Sequence, residues 1–72
     1  MKLTEAKDLA MSQGATLFQD MDFGGYIAAY RPAKSIDQVE GRRQWARAIL
    51  RPNDDGGYTI GDWAFCATPE GV

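Results

Sequence analysis

The chain has no histidine, a single cysteine and no long apolar run. Each absence removes a class of function. Without histidine, a serine or cysteine nucleophile lacks its usual general base. The commonest ligand for zinc and other transition metals is missing as well. One cysteine, Cys66, cannot close an intrachain disulfide, and it reads as a small buried hydrophobe in a reduced, cytoplasmic protein. No stretch approaches the ~20 apolar residues that cross a bilayer. Met1-Lys2-Leu3-Thr4-Glu5 opens without the apolar core of a signal peptide. Neither a cofactor, a metal nor a membrane is expected.

What is present describes a small globular domain. Hydrophobic residues make up 44% and charged residues 25% of 72 positions, which argues against intrinsic disorder. The length sets one domain over residues 1–72. A chain this short buries only roughly 60% of its unfolded surface. Such domains usually add disulfides, a metal or a partner subunit; the first two do not fit this composition, which leaves good packing by the aromatics or association with another chain.

Charge is unevenly spread. Arg31, Lys34, Arg42, Arg43, Arg47 and Arg51 stand against Asp37 and Glu40 in residues 31–51, while Lys2 and Lys7 face eight carboxylates elsewhere. A basic middle between acidic flanks is explained by complementation across neighbouring strands; the alternative is a basic patch for an anionic partner.

An acidic residue followed by Gly-Gly-Tyr occurs twice, with one residue intervening in the first copy: Asp22-Phe23-Gly24-Gly25-Tyr26 and Asp55-Gly56-Gly57-Tyr58. Paired glycines reach positive φ without steric cost, so each copy predicts the turn of a β-hairpin. Upstream, Thr4 is a fitting N-cap for a helix over about residues 5–13, with Ala6, Leu9, Ala10 and Gln13 on one face and Gly14 at the C′ position. Residues 15–20 alternate as a strand. Tyr26 to Arg31 form the next one, closed by Pro32. The helix is expected over the Ile27 and Ala29 side, where alanine permits close approach, with Tyr26 and Tyr30 on the opposite face.

Residues 35–50 admit two readings. Ser35-Ile36-Asp37-Gln38 resembles a helix start, and Ile36, Val39, Ala46 and Ile49 fall near helical spacing. A helix over 36–50 would, however, carry Gly41 at ~1 kcal/mol and two arginines on its apolar stripe. The preferred reading is a turn or short helix over 35–40 and a strand over 44–51. Trp45, Arg47, Ile49 and Arg51 would then share one face, and Ala46, Ala48 and Leu50 the other. Pro52 to Gly57 turns the chain. Tyr58 to Ala67 follows as a strand that Gly61 either bulges or splits by a tight turn at Gly61-Asp62. Residues 68–72 read as a loose tail. The fold class is α+β: an N-terminal helix on a four-stranded antiparallel sheet, ordered α-β-β-(short α or turn)-β-β.

Catalytic motifs are lacking. Ser12 and Ser35 are explained by helix and capping roles. Asp20-x-Asp22-x-Gly24 begins like a calcium loop, but its twelfth position is Arg31 rather than glutamate. Neither Gly-Gly pair precedes a helix or the Lys-Ser/Thr of a phosphate loop. The remaining constellation is aromatic and basic: Tyr26, Tyr30, Trp45, Arg47 and Arg51 on one sheet face. Trp, Tyr and Arg dominate protein-interface hot spots, so the expected function is a non-enzymatic protein-binding module that occupies a surface of a larger protein or self-associates as a homodimer. The alternative is a single-stranded nucleic-acid platform, against which stands a pI near 4.8. Small acidic α+β proteins without catalytic groups recur among phage and mobile-element inhibitors, anti-CRISPR proteins included; that likeness is one of size and chemistry alone.

Overall fold

Helix α1 spans Leu3–Ser12 in the computed structural model, which describes residues 1–33 and 44–72. Its N-cap lies two residues ahead of the expected Thr4. Lys2 is the N-cap, and its N–H donates to a Glu5 carboxylate oxygen at 2.9 Å. The earlier start brings Leu3 onto the core and leaves Lys2 extended. Met1 C=O accepts from Tyr58 N–H, and its amino group reaches back to Tyr58 C=O at 3.3 Å. At the other end, Gly14 N–H bonds to Met11 C=O and Ala15 N–H to Ala10 C=O, both at 3.0 Å, with Gly14 at φ 104°. This is a Schellman ending, which needs the left-handed residue that glycine supplies.

The sheet is an antiparallel meander. Strand β1 (Leu17–Asp20) pairs with β2 (Ile27–Ala33), and β2 with β3 (Gln44–Pro52). Two short strands, β4 (Tyr58–Ile60) and β5 (Ala64–Cys66), both pair with β3. One step decides between the two readings of Gly61. Leu50 pairs with Ile60 and Trp45 with Cys66, so a step of five positions along β3 is matched by a step of six on the partner side. One extra residue is a β-bulge, and a hairpin between β4 and β5 is excluded because both lie on β3. The fourth strand position is thus divided, which gives five strands among the described residues where the sequence reads as four. The chain is an α+β fold.

The bulge reverses the facing of everything after it. Before it, Tyr58 and Ile60 lie on the side of Pro52 and Leu50; after it, Phe65 takes that side, opposite Ala46. Trp63 thereby reaches the core beside Ala10, Ala15 and Ala29.

Strand β2 runs on through Pro32, where the sequence reads as stopping. The reason is in the hydrogen-bond alternation. Tyr26 and Tyr30 carbonyls accept from Met21 and Thr16, so even-numbered positions of β2 direct their backbone toward β1. Strand β1 begins opposite Tyr30, at Leu17. Pro32 therefore places its missing donor beyond the end of β1, where no ladder bond is lost. The strand over 44–51 is present as β3, which overturns the helical alternative for 44–50. The expected turn or short helix over 35–40, and the rest of the helix over 36–50, lie outside the described residues.

Helix α1 lies on the Ile27 and Ala29 side. Ala6 packs with Ile27 and Leu50, and Ala10 with Ala15 and Ala29. Ala6, Ala10, Ala29, Ala48 and Leu50 have no exposed surface. Alanine on both elements lets helix and sheet approach closely, so the core is thin, and among the described residues its one large, fully buried side chain is Leu50.

Both Gly-Gly turns lie at the same end of the sheet, joined by a hydrogen bond from the Tyr58 hydroxyl to Gly25 C=O at 3.3 Å. Gly24 and Gly25 are both at positive φ, 61° and 74°. In the second copy only Gly56 is, at 84°. Gly57 serves a different need: a Cβ there would sit 3.0 Å from Met1 O and 3.1 Å from the Asp55 carboxylate that accepts its N–H. Gly57→Ala is expected to displace the Met1 backbone from Tyr58. Amide exchange at Tyr58 should rise, with a stability loss of about 1 kcal/mol; unchanged protection there would show that Met1 does not dock.

Candidate functional site

Cross-strand pairing determines what shares each face. Leu17, Tyr30, Arg47 and Ala64 form one row across the sheet, and Pro32, Trp45 and Cys66 the next, all opposite α1. Arg51 lies on the same face beside Thr59. The structure thus places Tyr30, Trp45, Arg47 and Arg51 on one face, with Tyr30 directly across from Arg47 and Arg51 four residues further along β3. Tyr26 precedes β2, in the turn, where its ring lies 5.4 Å from that of Phe23.

Trp45 does not offer a stacking surface. It is 6% exposed, and its indole N–H finds no acceptor among the described residues. Arg47 and Arg51 are exposed, Tyr30 is half-buried, and Ala28 on the same face is buried. Part of this face is covered by the C-terminal residues that read as a loose tail. Pro69 is buried, and Glu70 C=O accepts from the Gln19 side-chain amide at 2.7 Å. Gln19 lies beside Ala28 on this face, so the tail is held across the β1 side of it. Cys66 is half-buried and free.

A second arrangement, on the helix side, was not legible from spacing. Arg31 follows the row of Ala46 and Phe65 across the sheet. Its guanidinium donates to Gln13 C=O at 2.8 Å and lies over the Trp63 ring, 4.4 Å from the centroid. Trp63 in turn donates its indole N–H to the Gln13 side-chain oxygen at 2.6 Å. The cation therefore faces the carbonyl end of α1, where the helix dipole favours it, and a stacked guanidinium adds roughly 0.5–2 kcal/mol. Arg31, Trp63 and Gln13 fix one another.

Beside them opens a groove of about 560 Å³, lined by Gln13, Gly14, Arg31, Pro32, Ala33, Ala46, Trp63, Ala64 and Phe65. It exists because α1 ends at Ser12 before reaching this end of the sheet, and because the residue between Arg31 and Phe65 is the small Ala46. Phe65 is 67% exposed. The sequence signal for this site was the bulge at Gly61, which carries Trp63 and Phe65 to the helix side.

Chemically the groove can stack and hydrogen-bond. No three His, Cys, Asp or Glu side chains converge among the described residues, and no described helix is long and apolar enough to cross a membrane. Comparison of the chain with protein-family models, with curated proteins and with solved structures found no match.

Proposed function

We propose that this protein is a non-enzymatic binding module, acting by occupying a surface of another protein or of a second copy of itself. The carrying observation is the groove beside the end of α1, with Phe65 at 67% exposure and an Arg31–Trp63 stack already held in place. Exposed aromatic and arginine groups supply large contact area, and a stack fixed before binding loses little freedom on association. An inhibitor that blocks a larger protein needs nothing more. The lone Cys66 fits a reducing compartment such as the cytoplasm.

A second reading has its own observation. Tyr30 opposite Arg47, with Arg51 on the same face, is a fragment of a single-strand nucleic-acid platform. The burial of Trp45 leaves it one aromatic short, and an acidic chain disfavours it.

Affinity capture with the tagged chain separates the readings. A single stoichiometric partner, or the chain itself, is expected, and Phe65→Glu should abolish capture without lowering the unfolding midpoint. Capture indifferent to Phe65→Glu would remove the groove from the account. Recovery of no partner and no self-association, together with salt-sensitive binding to single-stranded oligonucleotides lost in Arg47→Glu, would replace the module with the nucleic-acid reading.

A further inference from the structure

We propose that the occupant of the groove is a second copy of this chain, which inserts the tip of its β1–β2 turn. The inference rests on the binding-module reading and names the partner.

The tip has the chemistry that the groove lacks. Phe23 is 61% exposed at the outermost part of the turn, its ring braced against Tyr26 at 5.4 Å. Gly24 and Gly25, at φ 61° and 74°, make the tight reversal that presents it. Exposed Asp22 precedes it, and exposed Asp20 ends β1. The tip is therefore an aromatic knob beside two carboxylates. The groove is the converse: small residues at Ala33 and Ala46, aromatic walls at Trp63 and Phe65, and the Arg31 guanidinium at its side. The Arg31 guanidinium has one face over the Trp63 ring and one N–H on Gln13 C=O. An incoming phenyl ring can stack on the other face of the guanidinium, and an incoming carboxylate suits its planar N–H fork.

Position makes the contact heterologous. Strand β2 runs from Ile27, just after the knob, to the groove at Pro32 and Ala33, so the two surfaces lie at opposite ends of the sheet. The knob of one chain does not reach the groove of the same chain, and copies stacked along the strand direction meet knob to groove, head to tail. Head-to-tail association generates rings or open rows. One ring and its rim give a contact well below the size of permanent interfaces, so association is weak and depends on concentration.

Sedimentation of the full chain up to about 1 mM, near the weak limit of specific association, tests this. The wild type should form species larger than a dimer as concentration rises. Phe23→Ala, which keeps the groove, and Phe65→Ala, which keeps the knob, should each be monomeric. Mixed together they should form a one-to-one pair that grows no further. Circular dichroism and melting of each variant check that it folds. If Phe65→Ala does not, titrating ¹⁵N-labelled Phe23→Ala with unlabelled wild type should shift the Trp63 indole resonance and leave that of buried Trp45 in place. A monomer at every concentration overturns the proposal, as do self-association that survives Phe23→Ala, a mixture that fails to pair, or an unmoved Trp63 resonance. Lysate capture of another protein by a strictly monomeric chain would leave the binding-module reading standing and this inference refuted.

Discussion

Leu50→Ala is expected to remove about 3 kcal/mol of stability, a large share of what a domain of this length has. Truncating a buried leucine costs roughly 2–5 kcal/mol, the spread depending on how far the site can collapse. Here collapse is opposed from several sides. Leu50 packs with Ala6 of α1 and Ile27 of β2, bordered by Leu3, Phe18, Tyr58 and Ile60. Those neighbours belong to the helix and to every strand position, and the ladders hold the strands in register. Net stability at 0.05–0.15 kcal/mol per residue amounts to roughly 4–10 kcal/mol for a chain this long. With a urea slope of about 1 kcal/mol/M, the midpoint should fall by about 3 M. Ile49→Ala, one residue away on the other face and half-buried, should cost visibly less. Equal losses at both positions, or a loss under about 1 kcal/mol at Leu50, would show that the core does not centre where the structure places it.

The elements of this fold were legible where local chemistry acts alone. Gly14 at a helix end and Gly24-Gly25 in a turn announce their positive φ in any context. The alternation from Trp45 to Arg51 marks a strand, against a helix that would hold Gly41 and two arginines. What was not legible depends on partners distant in sequence. Pro32 looks like a strand end until β1 is known to begin opposite Tyr30. Gly61 allows a bulge or a turn until both flanks are seen on β3. Gly57 looks like its twin Gly25, yet its constraint is the Met1 backbone, 56 positions earlier. Pro69 sits in a polar tail, and its burial follows from where Gln19 lies.

The candidate site shows the same division. Alternation alone places Arg47 and Arg51 on one face with Trp45, and that much is local. Burial is not. Trp45 is covered while Phe65, equally apolar, is exposed, because the bulge turns Phe65 to the helix side at the end of the sheet that α1, ending at Ser12, does not cover. Arg31 could be read as one charge in a basic stretch. Its role at the end of α1 emerges only when β2 brings it beneath Gln13.

Ala10→Leu is the converse experiment, adding volume where the structure has none to spare. Leucine and alanine have similar helix propensities, so the helix itself is nearly unaffected. Ala10 is wholly buried between Ala15 and Ala29, with Phe18, Ile60 and Trp63 around it. Three added carbons need the helix to lift or tilt. It is tied at its start by Met1 to Tyr58, and at its end by Gln13 to Arg31. Overpacking of this kind costs about 1–3 kcal/mol, more when the backbone cannot yield, so a loss of about 3 kcal/mol is expected. Exposed Met11→Leu, the adjacent control, should change stability by less than about 0.5 kcal/mol. The strain has a direction. Lifting the end of α1 pulls Gln13 from both Arg31 and Trp63, so the groove should lose its wall before the sheet melts. Trp63 indole amide exchange should therefore rise in Ala10→Leu even under conditions where β2 and β3 stay protected. A variant as stable as the wild type, or one that loosens the sheet and the Trp63 indole together, would refute the close helix–sheet contact on which the groove depends.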